Sequence, residues 1–154
     1  MDESLLKRRR VTITSAQVLA LAGTPKELIP APGPGKLIQV VDALLYNPAA
    51  NHPAYVNQYA EPSAPDNLIL EYGDGTDIAV LESTAGAIVS ATEAYQRFVW
   101  AATITTVYSL VENSKVQLLN DSTDLTGGTN PVFVYLTYRI LDTDTGSSGY
   151  IEEA

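Results

Sequence analysis

Apolar and polar positions alternate most regularly over Pro131 to Leu141. Val132, Val134, Leu136, Tyr138 and Ile140 form one row, and Phe133, Tyr135, Thr137, Arg139 and Leu141 form the other. A period of two sends successive side chains to opposite faces, so this is a strand whose first row meets the core. Its second row mixes large rings with Thr and Arg, which suits a subunit contact or a solvated face. A different pattern runs from Lys26 to Tyr46. Leu28-Ile29 enters Pro30-Ala31-Pro32-Gly33-Pro34-Gly35, and a longer apolar run, Leu37 to Tyr46, leaves it. Each Pro fixes φ and removes a donor, and the Gly residues allow φ > 0. The segment reads as strand, sharp corner, long strand. In the long strand Leu37, Val41, Ala43 and Leu45 lie on one face, and Ile38, Val40, Leu44 and Tyr46 on the other. Gln39 and Asp42 interrupt the two rows once each. Two apolar faces predict a strand covered on both sides, with the second cover supplied by another subunit.

The remaining elements follow from shorter patterns. Residues 1–10 read as a flexible basic arm, and Val11 to Thr14 as a strand. Ser15 to Ala22 fits a short helix capped by Ser15 or an alternating strand. The early breaker Gly23-Thr24-Pro25 favours the strand. Residues 47–66 carry four Pro and form a long loop, of a length that is usually functional or packed on something. Its Tyr55 and Tyr59 are expected to pack on a neighbouring surface. Asn67 to Tyr72 and Ile78 to Leu81 predict a hairpin around Gly73–Asp77. A short helix is expected around Thr92 to Arg97. Phe98 to Val111 is apolar and β-branched, and Asn113-Ser114 reads as a turn. Lys115 to Leu119 is a strand, and Asn120 to Asn130 a polar hairpin tip. The sum is an all-β chain: an antiparallel β-sandwich, jelly-roll-like, over 11–141, with the arm at 1–10 and an acidic tail at 142–154.

Composition narrows the function. The 154 residues suffice for one domain with a real core. Nine Tyr accompany two Phe and one Trp, and Tyr suits half-buried surfaces and interfaces. There is no Cys, which excludes disulfides, thiolate metal sites and thiol catalysis. No apolar run is long enough for a membrane helix, and Lys7-Arg8-Arg9-Arg10 is followed by Val-Thr-Ile-Thr rather than a signal-peptide core. The net charge of −9 is uneven. Residues 1–10 hold four basic and two acidic side chains, the remainder five basic and sixteen acidic. An acidic body repels nucleic acid and anionic membranes, so the basic cluster is expected to dock on an acidic protein patch.

Candidate chemistry is sparse. Gly33-x-Gly35-Lys36 lacks the spacer and the following Ser/Thr of a phosphate loop, and its Pro residues remove donors. His52 is the one histidine, and no Gly-x-Ser-x-Gly elbow accompanies it. Asp74/Asp77 and Asp142/Asp144 are short carboxylate pairs. The second pair, beside Gly146, is half a calcium loop without its closing Glu. The expectation is a non-enzymatic protein with no catalytic, cofactor or metal site.

A resemblance makes the expectation specific. Val18-Leu19-Ala20-Leu21, Thr24-Pro25 and the turn from Leu28 to Lys36 follow one another in order. Leu68-Ile69-Leu70-Glu71-Tyr72 lies downstream, and Tyr138-Arg139-Ile140 closes a strand. Over about residues 15–141 this order is similar to small β-rich structural proteins from the virion gene blocks of tailed bacteriophages. Such proteins are capsid decoration (cement) proteins, head fibres or minor tail components. The resemblance implies a virion protein of the outer capsid surface, made in the host cytoplasm. The leading form is a homotrimeric decoration protein that binds the major capsid protein of an assembled head and stabilises it by mass action. In this reading Lys7, Arg8, Arg9 and Arg10 form the capsid-binding arm. Phe133, Tyr135 and Arg139, with Leu37 and Val41, form the subunit interface. The alternative is a head-fibre or minor tail protein that binds a host receptor or glycan in a groove formed by Tyr55, Tyr59 and Tyr95.

Overall fold

A computed structural model describes residues 6–48, 59–60, 67–81, 94–100, 110–121 and 123–143. The elements are β1 (Lys7–Ile13), α1 (Ser15–Leu19), β2 (Lys26–Ile29), β3 (Lys36–Asn47), β4 (Tyr59–Ala60) and β5 (Leu68–Tyr72). They continue with β6 (Asp77–Leu81), β7 (Ala94–Arg97), β8 (Val99–Trp100), β9 (Val116–Asn120), β10 (Thr126–Gly127) and β11 (Val132–Asp142). A four-stranded sheet runs β1-β11-β3-β7, a five-stranded sheet β2-β9-β5-β6-β8, and β10 pairs with β4. Every pairing among these strands is antiparallel, so the chain is all-β.

One core serves both large sheets. Ile13, Ile38, Leu45, Val132, Val134 and Leu136 come from the four-stranded sheet. Leu28, Leu68, Leu70, Tyr72, Val116 and Leu118 come from the five-stranded sheet. The buried Tyr72 hydroxyl donates to the Ile38 carbonyl and ties β5 to β3. The regular alternation read at Val132 to Tyr138 is present as drawn, with Phe133, Tyr135 and Thr137 turned away from the core.

The two apolar faces of β3 have a different cause from the one expected. The β11 register passes from Thr137↔Asp42 to Tyr138↔Val40, which leaves Val41 as an extra residue. Such a β-bulge shifts the side-chain parity by one. Ile38 and Val40 are buried before it, and Ala43, Leu45 and Asn47 after it. Ala43 and Leu45 therefore do not share a face with Leu37 and Val41. β3 has one core face that changes parity midway, and Val41 is 43% exposed at the change.

Four further expectations are corrected. Lys7 to Arg10 are not a flexible arm: they form most of β1 and pair with Tyr135 to Tyr138 of β11. The buried Ile13 and half-buried Val11 anchor the strand, and the hydrogen-bonded ladder carries it out through the basic residues. Ser15 to Leu19 is helix, not strand. Thr14, not Ser15, caps it: the Gln17 amide donates to the Thr14 hydroxyl (3.3 Å), and the Thr14 amide donates to Gln17 Oε1 (3.1 Å). This reciprocal box satisfies two otherwise orphaned donors and makes a single turn viable. Ala94 to Arg97, expected as helix, is strand, because its backbone pairs with Leu44 to Asn47. Sheet pairing overrides a weak local preference there. The tail boundary also moves, since Asp142 ends β11 and the Thr143 amide donates to Gly35 O at 2.7 Å. Residues 144–154 lie outside the described residues.

Candidate interaction face

Cross-strand partners in an antiparallel ladder share a face, so the outward face of the four-stranded sheet is read from its register. One row is Thr12, Phe133, Tyr46 and Tyr95. The next is Arg10, Tyr135, Leu44 and Arg97, and the third is Arg8, Thr137 and Asp42. Beyond the bulge, Arg139 lies opposite Gln39 and donates to its Oε1.

The rings form a connected set. Tyr46 stacks on Tyr95 with centroids 4.4 Å apart and on Phe133 at 5.9 Å. The Arg10 guanidinium sits 4.6 Å above the Phe133 ring, a cation–π contact that holds its charge over the face. Tyr95 is 62% and Tyr135 38% exposed, so the rings are presented outward. Arg97 Nε meets Asp42 Oδ1 at 3.0 Å, with a weaker second contact at 3.4 Å. That pair is largely solvated and adds little to stability. Among the described residues these rows hold four Arg and one Asp. Exposed Tyr, Phe and Arg with few acidic groups is the composition of protein-interface cores.

The residues expected to act separately are thus adjacent. Arg8 and Arg10, assigned to an arm, share the face with Phe133, Tyr135 and Arg139, assigned to an interface. Lys7 and Arg9 alternate to the other side of β1, opposite Tyr138 and Leu136, and stay exposed at the rim. Inward-turned charges on an edge strand oppose indiscriminate edge pairing. Val41 stands exposed at the bulge, while Leu37 is half-buried at the far end, bridged to Glu112.

Sequence reading missed Asp42, Leu44, Tyr46 and Arg97 as members of this face. The signal was present in Gln39 and Asp42. Two polar residues three apart fall on opposite faces of a regular strand, and on one face when an extra residue lies between them.

The five-stranded sheet carries the opposite charge. Glu27 pairs with Gln117, Gln117 with Glu71, and Glu71 with Asp77. Gln117 Nε2 donates to Glu71 Oε1 at 2.6 Å, which fixes the middle of the row. On β5 the core-facing residues are Leu68, Leu70 and Tyr72, so Glu71 faces outward.

Tyr59 corrects another expectation. It is fully buried within its own chain, not offered to a neighbouring surface. Its hydroxyl donates to the Asn130 carbonyl, and burial pushes its phenol well above its ordinary pKa. Gly128, at φ +71°, lies against the ring, where any Cβ would overlap it. Tyr59 cannot line a glycan groove with Tyr95, which sits on the four-stranded sheet. Tyr55 and His52 lie outside the described residues.

The remaining candidates are structural turns. The Gly33 amide donates to Asn113 Oδ1 (3.0 Å), and the Gly35 amide to Glu112 Oε1 (2.8 Å). A carboxylate therefore occupies the donor a phosphate would use. Asp74 Oδ1 accepts from the Thr76 amide at 3.0 Å inside the β5–β6 turn. Among the described residues no group of three His, Asp or Glu side chains converges as a metal site. Comparison of the chain with protein-family models, curated proteins and solved structures found no match.

Proposed function

We propose that this chain is a non-enzymatic structural protein of a tailed-phage virion, a homotrimeric capsid decoration protein that binds and stabilises the assembled head. The observation that carries the reading is the arginine–aromatic face of the four-stranded sheet. Its connected rings and guanidinium groups suit a desolvated protein contact and offer no reacting constellation. Two large antiparallel sheets on one core support the finer fold reading, a jelly-roll-like β-sandwich. The shared face serves subunit assembly, and Lys7 and Arg9 at the rim meet an acidic patch of the major capsid protein. Binding restricted to the assembled lattice stabilises it in proportion to occupancy.

The test is occupancy. The protein is expected to co-purify with filled heads at a fixed ratio to the major capsid protein and to rebind decoration-free heads. Lys7→Glu/Arg9→Glu is expected to lower rebinding at low salt and to matter less as salt screens the contact. Failure to associate with heads at any salt concentration overturns the reading.

A further inference from the structure

We infer that copies of this chain associate head to tail, the arginine–aromatic face of one copy against the Glu27–Glu71–Asp77 row of the next. The inference deepens the homotrimer reading by naming both surfaces, and it does not depend on a capsid. Three observations carry it. The chain has a net charge of −9, yet among the described residues the outward rows of its four-stranded sheet hold Arg8, Arg10, Arg97 and Arg139 with Asp42, and Glu112 is bridged to Leu37 at the far end. A symmetric contact of this face with itself sets guanidinium groups against guanidinium groups, which opposes pairing. The complementary charge is carried by the same chain on a different sheet, where three carboxylates lie in one cross-strand row.

Because donor and acceptor surfaces lie on different sheets, each copy offers one of each. A contact of this type is heterologous, and repeating it closes a ring when the rotation permits. A trimer is then a three-membered ring in which every arginine face is covered. The rings Tyr95 and Tyr135, 62% and 38% exposed, supply the apolar area the contact buries.

Charge reversal tests the inference on the purified full chain, with mass read by light scattering and fold by circular dichroism. Wild type at low salt is expected at three times the chain mass, falling as salt rises. Arg8→Glu/Arg10→Glu and Glu27→Lys/Asp77→Lys are each expected to reduce the mass threefold, to monomer. Both reversals in one chain are expected to reassociate to the trimer. The two variants mixed are expected to pair without closing a three-membered ring, since an odd ring leaves one like-charged contact. A monomeric wild type overturns the inference. So does a combined variant that folds but stays monomeric, or Y135C forming symmetric disulfide dimers with itself. No capsid enters the experiment, so these outcomes leave the capsid reading standing. Loss of head binding by a chain that still assembles removes only that reading.

Discussion

Tyrosines in the interior and on the outer sheet do opposite work. Tyr59 and Tyr72 are fully buried, and each hydroxyl donates to a backbone carbonyl of another segment, at Asn130 and Ile38. Tyr46, Tyr95 and Tyr135 lie on the outward face, in contact with other rings or with solvent. The first group is expected to set stability and the second association. Composition alone gave only a general suitability of Tyr for half-buried surfaces and interfaces. What separates the two groups is whether a hydroxyl meets a carbonyl inside the core or a ring meets another ring outside it.

The largest test is Tyr59→Ala, expected to cost about 3–5 kcal/mol, as for a large buried ring, measured by denaturant unfolding. Tyr59→Phe isolates the hydroxyl and its titration. Burial raises the folded phenol's pKa above the unfolded value of 10.0, so the contribution is fully present below that value. It is lost as pH rises from there through the folded pKa. Wild type is therefore expected to lose stability on that alkaline limb, and Tyr59→Phe to lose less. If the two lose equal stability there, the assignment of that titration to Tyr59 fails.

Truncation of residues 1–10 comes next. It strips Lys7 to Arg10 from β1 and exposes the edge of β11. The expected loss is on the order of 2 kcal/mol, from several ladder bonds at about 0.5–1.5 each, together with a tendency to aggregate. An unchanged melting temperature would return these residues to the status of an arm. Tyr72→Phe is expected to cost about 1 kcal/mol, with association intact by light scattering.

The outer group gives the smallest folding effects. Tyr95→Ala is expected to cost about 0.2–1 kcal/mol in monomer stability while shifting the assembly equilibrium. Arg97→Ala is expected to change stability by less than about 1 kcal/mol, with a smaller dependence of association on salt. Equal losses for Tyr59→Ala and Tyr95→Ala would erase the distinction between the two regions.

Much of the fold was legible wherever a period of two persisted. Val132 to Tyr138, the hairpin around Gly73–Asp77 and the Pro/Gly corner all followed from local chemistry. The errors fell where distant pairing decides. Lys7 to Arg10 have no apolar alternation and are ordered by β11. Ala94 to Arg97 are extended because β3 lies beside them. Thr14 and Gln17 carry a capping box in the sequence, three residues apart, but the cap was sought at Ser15. The face itself was half legible: Phe133, Tyr135 and Arg139 came from simple alternation. Arg10, Tyr46 and Arg97 required a register that no single strand encodes.

The bulge at Val41 makes chain length within β3 adjustable in one direction. Val41 is exposed and unpaired, so almost any side chain is tolerable there, and its removal leaves a regular strand. Without it Asp42 follows Val40 directly, the pairs Thr137↔Asp42 and Tyr138↔Val40 become consecutive, and Ile38, Val40, Ala43, Leu45 and Asn47 still face the core. An insertion beside it also keeps those faces but puts two extra residues opposite β11, so the pairing on one side shifts by two. Between Val40 and Ala43 a frame-preserving deletion of the Val41 codon is therefore as tolerable as a replacement, whereas an added codon moves the ladder against β11.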